Sequence, residues 1–305
     1  MNIFGKIQVY SMCLILKSFH TLLVLFMAFS VLGQKIPLYP ATEKTTIDGY
    51  EKDKEPPYLE LFKALPDSAK GTTILVCPGG GYSHLADQHE GRDVAAFYNQ
   101  HGYDVFVLHY RLNSPDQRGH RFPDQYRDVT TALRVIKSRA KEWKLNPERI
   151  GVLGFSAGGH LASMATTMHL PAVKKAKAPL DQYSSRPAFS ILIYPVIALS
   201  GAAAHRGSCE MLLGKNPDDA LVDSLSTYNR VDAHTPPTFL VHSTDDQAVP
   251  PENSILFYQA LRKYGIPASL HVYDHGGHGY GMAPKDRTLS TWPDLSVAWL
   301  KKLGY

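Results

Sequence analysis

The sequence predicts an α/β fold with a mostly parallel central sheet, helices on both faces and a short cap segment. Two observations carry this expectation. Strand-like apolar runs near 72–77, 104–109, 149–154, 188–196, 238–242 and 268–273 alternate with helical patterns near 91–101, 122–142, 158–169, 252–265 and 290–303. A chain of 305 residues with 44% hydrophobic content can also bury one large core, and α/β folds of this length commonly form a single domain.

The first residues carry Lys6 and Lys17 and no acid, followed by the apolar run Thr21 to Gly33. A positive flank, a short apolar stretch and small residues before Gln34 read as a secretory signal peptide over 1–33, with Val31 and Gly33 at the cleavage positions. That leaves residues 34–305 as the folded domain, exported to the periplasm or secreted, with no lasting attachment to the membrane. The alternative is an uncleaved anchor, which the stretch from Val9 to Gly33 is long enough to form. Residues 34–57 read as an extended lead-in.

The run Thr73-Ile74-Leu75-Val76-Cys77 ends in Pro78-Gly79-Gly80-Gly81-Tyr82, where three successive glycines let backbone N–H groups turn toward a ligand. Tyr82, His84, His89 and Glu90 follow this loop directly and are candidates to line a pocket. The spacing His-x4-His-Glu is not that of a zinc site, so no metal is expected there. Arg111, after the next strand, and Asp128, inside the next helix, read as a buried ion pair tying the two elements.

The run 149–153 enters Gly154-Phe155-Ser156-Ala157-Gly158, and a small-residue helical stretch follows. A serine is a poor nucleophile unless a tight strand-to-helix turn lifts it out of the sheet, and the flanking glycines lack the Cβ that would clash in such a turn. The helix that follows points free N–H groups and its positive dipole end at an anion forming there. His160, one turn into that helix, reads as packed or hydrogen-bonded in the core rather than as a further reactive group.

After residue 196 the gap to the next strand, about 197–237, is where a cap would sit, and Arg206, Glu210, Lys215, Asp218, Asp219 and Asp223 make it polar for a lipid-facing surface. The strand Thr238 to His242 runs into Asp245-Asp246, and the strand around Leu270 to Tyr273 runs into Asp274-His275-Gly276-Gly277-His278-Gly279. Only one of each pair can face the serine. The pattern His-x-x-x-Asp-x-x-Val-Pro from His242 to Pro250 favours Asp246 over Asp245. The small neighbours of His278, which let a ring approach closely, favour it over His275.

The chain order Ser, Asp, His, with a glycine-rich loop upstream, is the α/β-hydrolase order and differs from those of the chymotrypsin and subtilisin folds. It assigns Ser156 as nucleophile, His278 as general base and Asp246 as the group that orients the imidazole. The oxyanion would be held by the N–H of Ala157 and of Gly80 or Gly81. Such a triad needs no cofactor. Hydrolase-fold proteins that act only as binding modules lose the serine, the histidine or the oxyanion glycines, and this chain keeps all three.

Pro78-Gly79-Gly80-Gly81-Tyr82, His89-Glu90-Gly91, Tyr110-Arg111-Leu112, the segment Gly154 to Ala162 and Gly276-Gly277-His278-Gly279 together resemble the bacterial acetylxylan esterase-like α/β-hydrolases, relatives of the hormone-sensitive-lipase group of carboxylesterases. The resemblance covers about residues 36–304. It implies removal of acetyl groups from a polysaccharide or its oligosaccharides, with a short-chain carboxylesterase as the alternative. Pro78 is a departure, because the lipase group begins this loop with His.

The formal charge of +4 falls to +2 without Lys6 and Lys17, too near neutral for a nucleic-acid partner, which needs a concentrated basic face. Of the three cysteines, Cys13 lies in the leader, and Cys77 at the end of a buried-looking strand favours free thiols for Cys77 and Cys209 over a disulfide.

Overall fold

The computed structural model describes residues 33–39, 56–114 and 119–305; the proposed leader (to residue 32), Cys13 and most of the lead-in lie outside them. The strands are β1 (Gln34–Pro37), β2 (Tyr58–Phe62), β3 (Thr73–Cys77), β4 (Asp104–His109), β5 (Ile150–Phe155), β6 (Ser190–Ile193), β7 (Thr238–Ser243) and β8 (Ala268–Tyr273). They form one eight-stranded sheet in the order β1-β2-β4-β3-β5-β6-β7-β8. From β4 to β8 every pairing is parallel, while β2 runs antiparallel to β4. Residues 35–305 are one compact unit.

The two faces of the sheet are dressed by alternate residues of the same strands. Leu75 and Cys77 of β3 pack into one apolar cluster with Val129, Leu133, Leu161 and Phe257, whereas Ile74 and Val76 pack into the other with Val94, Tyr98, Trp292 and Leu300. Side chains of a strand alternate in direction, so a strand covered on both faces is buried throughout, as β3 and β5 are. The first cluster brings in α2 (Asp124–Ser138), α4 (Ser156–Thr167) and α7 (Glu252–Lys263); the second brings in α1 (Asp93–Gln100) and α8 (Trp292–Lys302). The short α3 (Ala140–Trp143) follows α2.

The parallel register pairs Cys77 with Gly154, Phe155 with Ile193, Val241 with Ile193 and Ser243 with Tyr273. The carboxyl ends of β3, β5, β6, β7 and β8 therefore meet along one edge of the sheet. In open α/β sheets this edge is where ligands bind.

Several boundaries differ from those the sequence suggests. The helix expected from about 158 starts at Ser156 itself, and the strand expected over 188–196 stops at Ile193 because Tyr194 takes φ +35°, outside the strand region. The helix expected over 91–101 is a π-turn at Gln88–Arg92 leading into α1. The segment expected as a cap holds α5 (Arg206–Leu213) and α6 (Asp219–Leu225). Arg111 and Asp128 form the expected buried pair, with Nη2 to Oδ1 at 2.7 Å and the Arg111 backbone N–H donating to Oδ2 at 2.8 Å. Cys77 and Cys209 are unpaired thiols. Among the described residues no helix is long and apolar enough to cross a membrane.

Candidate active site

Ser156 is the first residue of α4, directly after the last residue of β5, with φ +52°. A non-glycine residue rarely adopts this left-handed backbone, and here it turns the side chain off the sheet. The strain falls on the serine and not on the glycines beside it. Those glycines answer a different need. A Cβ on Gly158 would lie 2.2 Å from the carbonyl oxygens of Cys77 and Pro78, and one on Gly154 would lie 2.3 Å from the Gly158 oxygen. This turn is thus pressed against both the end of β3 and its own helix.

Ser156 Oγ lies 2.7 Å from His278 Nε2, and His278 Nδ1 lies 2.7 Å from Asp246 Oδ2. A carboxylate only accepts, so Nδ1 carries the ring proton and Nε2 is free to accept from the serine hydroxyl. Asp246 Oδ1 takes the N–H groups of Ala248 and Val249 at 3.0 and 2.9 Å. Burial alone would raise the Asp246 pKa, but His242, His278 and the Val249 N–H together hold it well below the usual carboxylate range. Asp246 is therefore ionised at neutral pH.

The neighbouring candidates are placed elsewhere. Asp245 accepts from the Gly277 N–H at 2.7 Å, anchoring the histidine loop by its backbone. His275 is exposed between Asp274 (2.8 Å) and Asp286 (2.7 Å). His160 is buried, with Nε2 donating to the Leu225 carbonyl at 2.8 Å and Nδ1 accepting from the Tyr82 hydroxyl at 2.8 Å.

Gly80 and Gly81 have φ +127° and +64°, values that favour glycine, and a Cβ on Gly80 would sit 2.1 Å from the His84 oxygen. Among the described residues, the N–H groups of Gly80, Gly81 and Ala157 have no protein acceptor. Ala157 sits in the first turn of α4, where the helix dipole reinforces the donor.

Two of the four pocket candidates need correction. Tyr82 is fully buried, its hydroxyl spent on His160, and so presents no surface to a ligand. Glu90 is 2% exposed, with Oε2 accepting from the Gly79 N–H at 2.8 Å and Oε1 from the Tyr194 hydroxyl at 2.7 Å. It holds the loops and does not line a cavity. His84 and His89 are exposed. The His84 ring lies 3.2 Å from where a Gly80 Cβ would stand, and the His89 ring lies at the same distance from the Gly281 position, so each flanks one loop of the site.

Three residues near the triad escaped the sequence reading. His242 is buried, with Nε2 at 2.8 Å from the Val249 carbonyl and 3.4 Å from Asp246 Oδ2. Its only sequence signal is its place four residues before the acid. His205, ahead of α5, accepts the Ser208 N–H at Nδ1 at 3.1 Å, so its neutral ring carries its proton on Nε2. Burial lowers its pKa, the charge of His278 lowers it further and that of Asp246 opposes both. Tyr194, directly after β6, packs its ring edge-on to His278 with centroids 5.0 Å apart.

Known proteins share this arrangement of chain. The BD-FAE family model matches residues 59–261. An acetylxylan esterase of Xylanibacter ruminicola is 39% identical over 244 residues, 79% of this chain and 46% of the relative. Endo-1,4-beta-xylanase B of Butyrivibrio fibrisolvens is 35% identical over 227 residues, 74% of this chain and 35% of the relative. The chain thus spans less than half the length of either. The crystal structure of an acetyl ester-xyloside bifunctional hydrolase from Caldicellulosiruptor lactoaceticus superposes with a TM-score of 0.83 at 41% identity, covering 90% of this chain and 97% of that one.

Proposed function

This chain belongs to the BD-FAE family of α/β-hydrolases, and on that premise we propose that it is an exported serine esterase that removes acetyl groups from a polysaccharide or its oligosaccharides. The observation that carries the reading is the hydrogen-bonded relay from Ser156 through His278 to Asp246, each link at 2.7 Å, at the carboxyl edge of the sheet.

In the proposed reaction Ser156 Oγ attacks the acetyl carbonyl carbon while His278 Nε2 takes the hydroxyl proton. The oxyanion accepts from the N–H of Ala157 and of Gly80 or Gly81, each donor contributing about 3 to 4 kcal/mol to the transition state. Collapse breaks the bond to the sugar oxygen, which leaves as an alcohol with the proton from His278. Water, deprotonated by the same imidazole, then attacks the acetyl-serine; collapse breaks the bond to Ser156 Oγ, which takes the proton back from His278, and acetate leaves. Asp246 stays ionised and stabilises the imidazolium in both halves.

The acetyl and glycan parts of the proposal are supported by the names of the relatives above, by the polar cap and by the two exposed histidines flanking the loops. Each methylene that a short pocket cannot take forfeits about 0.8 kcal/mol of burial, so rates would fall steeply beyond acetate or propionate. Export is supported by the composition of residues 1–33. N-terminal sequencing of protein from a native-like host should find Gln34 first.

The deciding experiment compares p-nitrophenyl esters of increasing chain length with acetylated xylan and pectin, using Ser156→Ala as control. Acetate release and a preference for acetyl esters are expected, with Ser156→Ala lowering kcat by about 10⁶-fold. Equal or higher kcat/KM on octanoyl esters, with no acetate from any acetylated glycan, would make the enzyme a general carboxylesterase instead.

A further inference from the structure

A carboxylate as deeply buried as Glu90 is costly unless both oxygens are satisfied, and the way they are satisfied is specific. Oε2 holds the Gly79 N–H and Oε1 holds the Tyr194 hydroxyl; the same hydroxyl accepts the Gly281 N–H at 2.8 Å. Gly79 opens the oxyanion loop and lies against the nucleophile, since a Cβ there would come within 3.0 Å of Ser156 Cβ. Gly281 closes the loop that begins with the general base, three residues after His278, and its carbonyl is pinned from the other side by Trp292 Nε1 at 3.0 Å. Tyr194 reaches this point from a backbone at φ +35°, which a tyrosine adopts at a cost, and its ring also rests edge-on against His278.

We propose that the chain Gly79–Glu90–Tyr194–Gly281 is a strut that sets the spacing between the oxyanion glycines and His278, with Glu90 and Tyr194 as positioning residues for the esterase reaction proposed above. Neither side chain touches the substrate. Glu90 turns the Gly79 N–H away from the pocket, which leaves the next two N–H groups of the loop for the oxyanion. Tyr194 fixes how far the histidine loop stands from that point. A misplacement of about 1 Å between donor and base costs on the order of 10²-fold in rate, so the strut acts through geometry alone.

The test uses Glu90→Gln, Tyr194→Phe and the double variant of the full chain. Glu90→Gln keeps the shape but places an amide where two donors already point. Tyr194→Phe keeps the ring against His278 and removes only the bridging oxygen. Each single variant is expected to lose about 10- to 100-fold in kcat on p-nitrophenyl acetate with KM changed by less than about threefold. The double variant should lose no more than the worse single, because either break opens the same strut. Labelling of Ser156 by a fluorophosphonate should slow in step with kcat while still going to completion. That readout needs only nucleophile, base and oxyanion donors, so it reports on the strut even if acetylated glycans are not the substrate. A fall in melting temperature with kcat and labelling rate unchanged, a loss confined to KM, or losses that multiply in the double variant would overturn the proposal. Should Glu90→Gln fail to fold, the conservative Tyr194→Phe decides on the same two readouts.

Discussion

Asp245 and Asp246 are adjacent, yet their carboxylates grip the histidine loop at two different atoms: Asp246 takes the His278 ring at Nδ1, and Asp245 takes the Gly277 backbone N–H, each at 2.7 Å. One aspartate holds the His278 ring and the other the backbone of the loop that carries it. The second is exposed and the first is buried, so the two contacts differ in what they are worth.

Asp246→Asn is expected to lower kcat by about 10⁴-fold, because an amide at that place favours the wrong imidazole tautomer. Asp245→Asn leaves the ring hydrogen bond in place and should cost no more than about tenfold. Steady-state kinetics on one ester decides it. A larger loss for Asp245→Asn would reverse the assignment of the acid.

His160 offers a pH test of the core. Burial holds its pKa down at about 4, against an ordinary value of 6.5, because a charged ring would have to leave water; the Nε2–H bond to the Leu225 carbonyl pulls the other way and is outweighed. In the unfolded chain it protonates near 6.5 and in the folded chain only near 4. The unfolded state therefore binds more protons between these values. Stability conferred by keeping the ring neutral is complete above about 6.5 and falls as the pH drops toward 4, by about 3 kcal/mol in all. Urea unfolding across pH 4 to 7 should show this slope, and His160→Gln should reduce it. An unchanged slope in the variant would assign the effect to other groups.

Gly158→Ala separates close approach from helix propensity. In an unconstrained helix the change would stabilise by about 1 kcal/mol. Here the new Cβ would lie 2.2 Å from the Cys77 and Pro78 oxygens, which belong to the backbone of the oxyanion strand and cannot swing aside. A lower melting temperature together with a fall in kcat is expected. A stabilised, fully active variant would show that the elbow and the oxyanion strand are not in fixed contact.

Features encoded within a few neighbouring residues were legible before folding was considered. A nucleophile elbow needs five positions and an apolar strand before them, a buried parallel strand is an apolar run, and the order of Ser156, Asp246 and His278 along the chain is read directly. The parallel core and the membership of its strands were legible for the same reason. The antiparallel β2 was not, since Tyr58-Leu59-Glu60-Leu61-Phe62 carries a charge in its middle that only the fold explains, through His109 and Arg92 at 3.3 and 3.2 Å. Tertiary structure alone decided which polar residues face the site. Tyr82 and Glu90 follow the oxyanion loop in sequence, as His84 and His89 do, but the fold buries the first two and binds them to His160 and Tyr194, 78 and 104 residues away. His242 opens the motif that marks Asp246, yet only the folded chain shows its ring 3.4 Å from that carboxylate. A side chain's role at this edge of the sheet depends on which distant group satisfies its hydrogen bonds once water is excluded, and that pairing exists only in the folded chain.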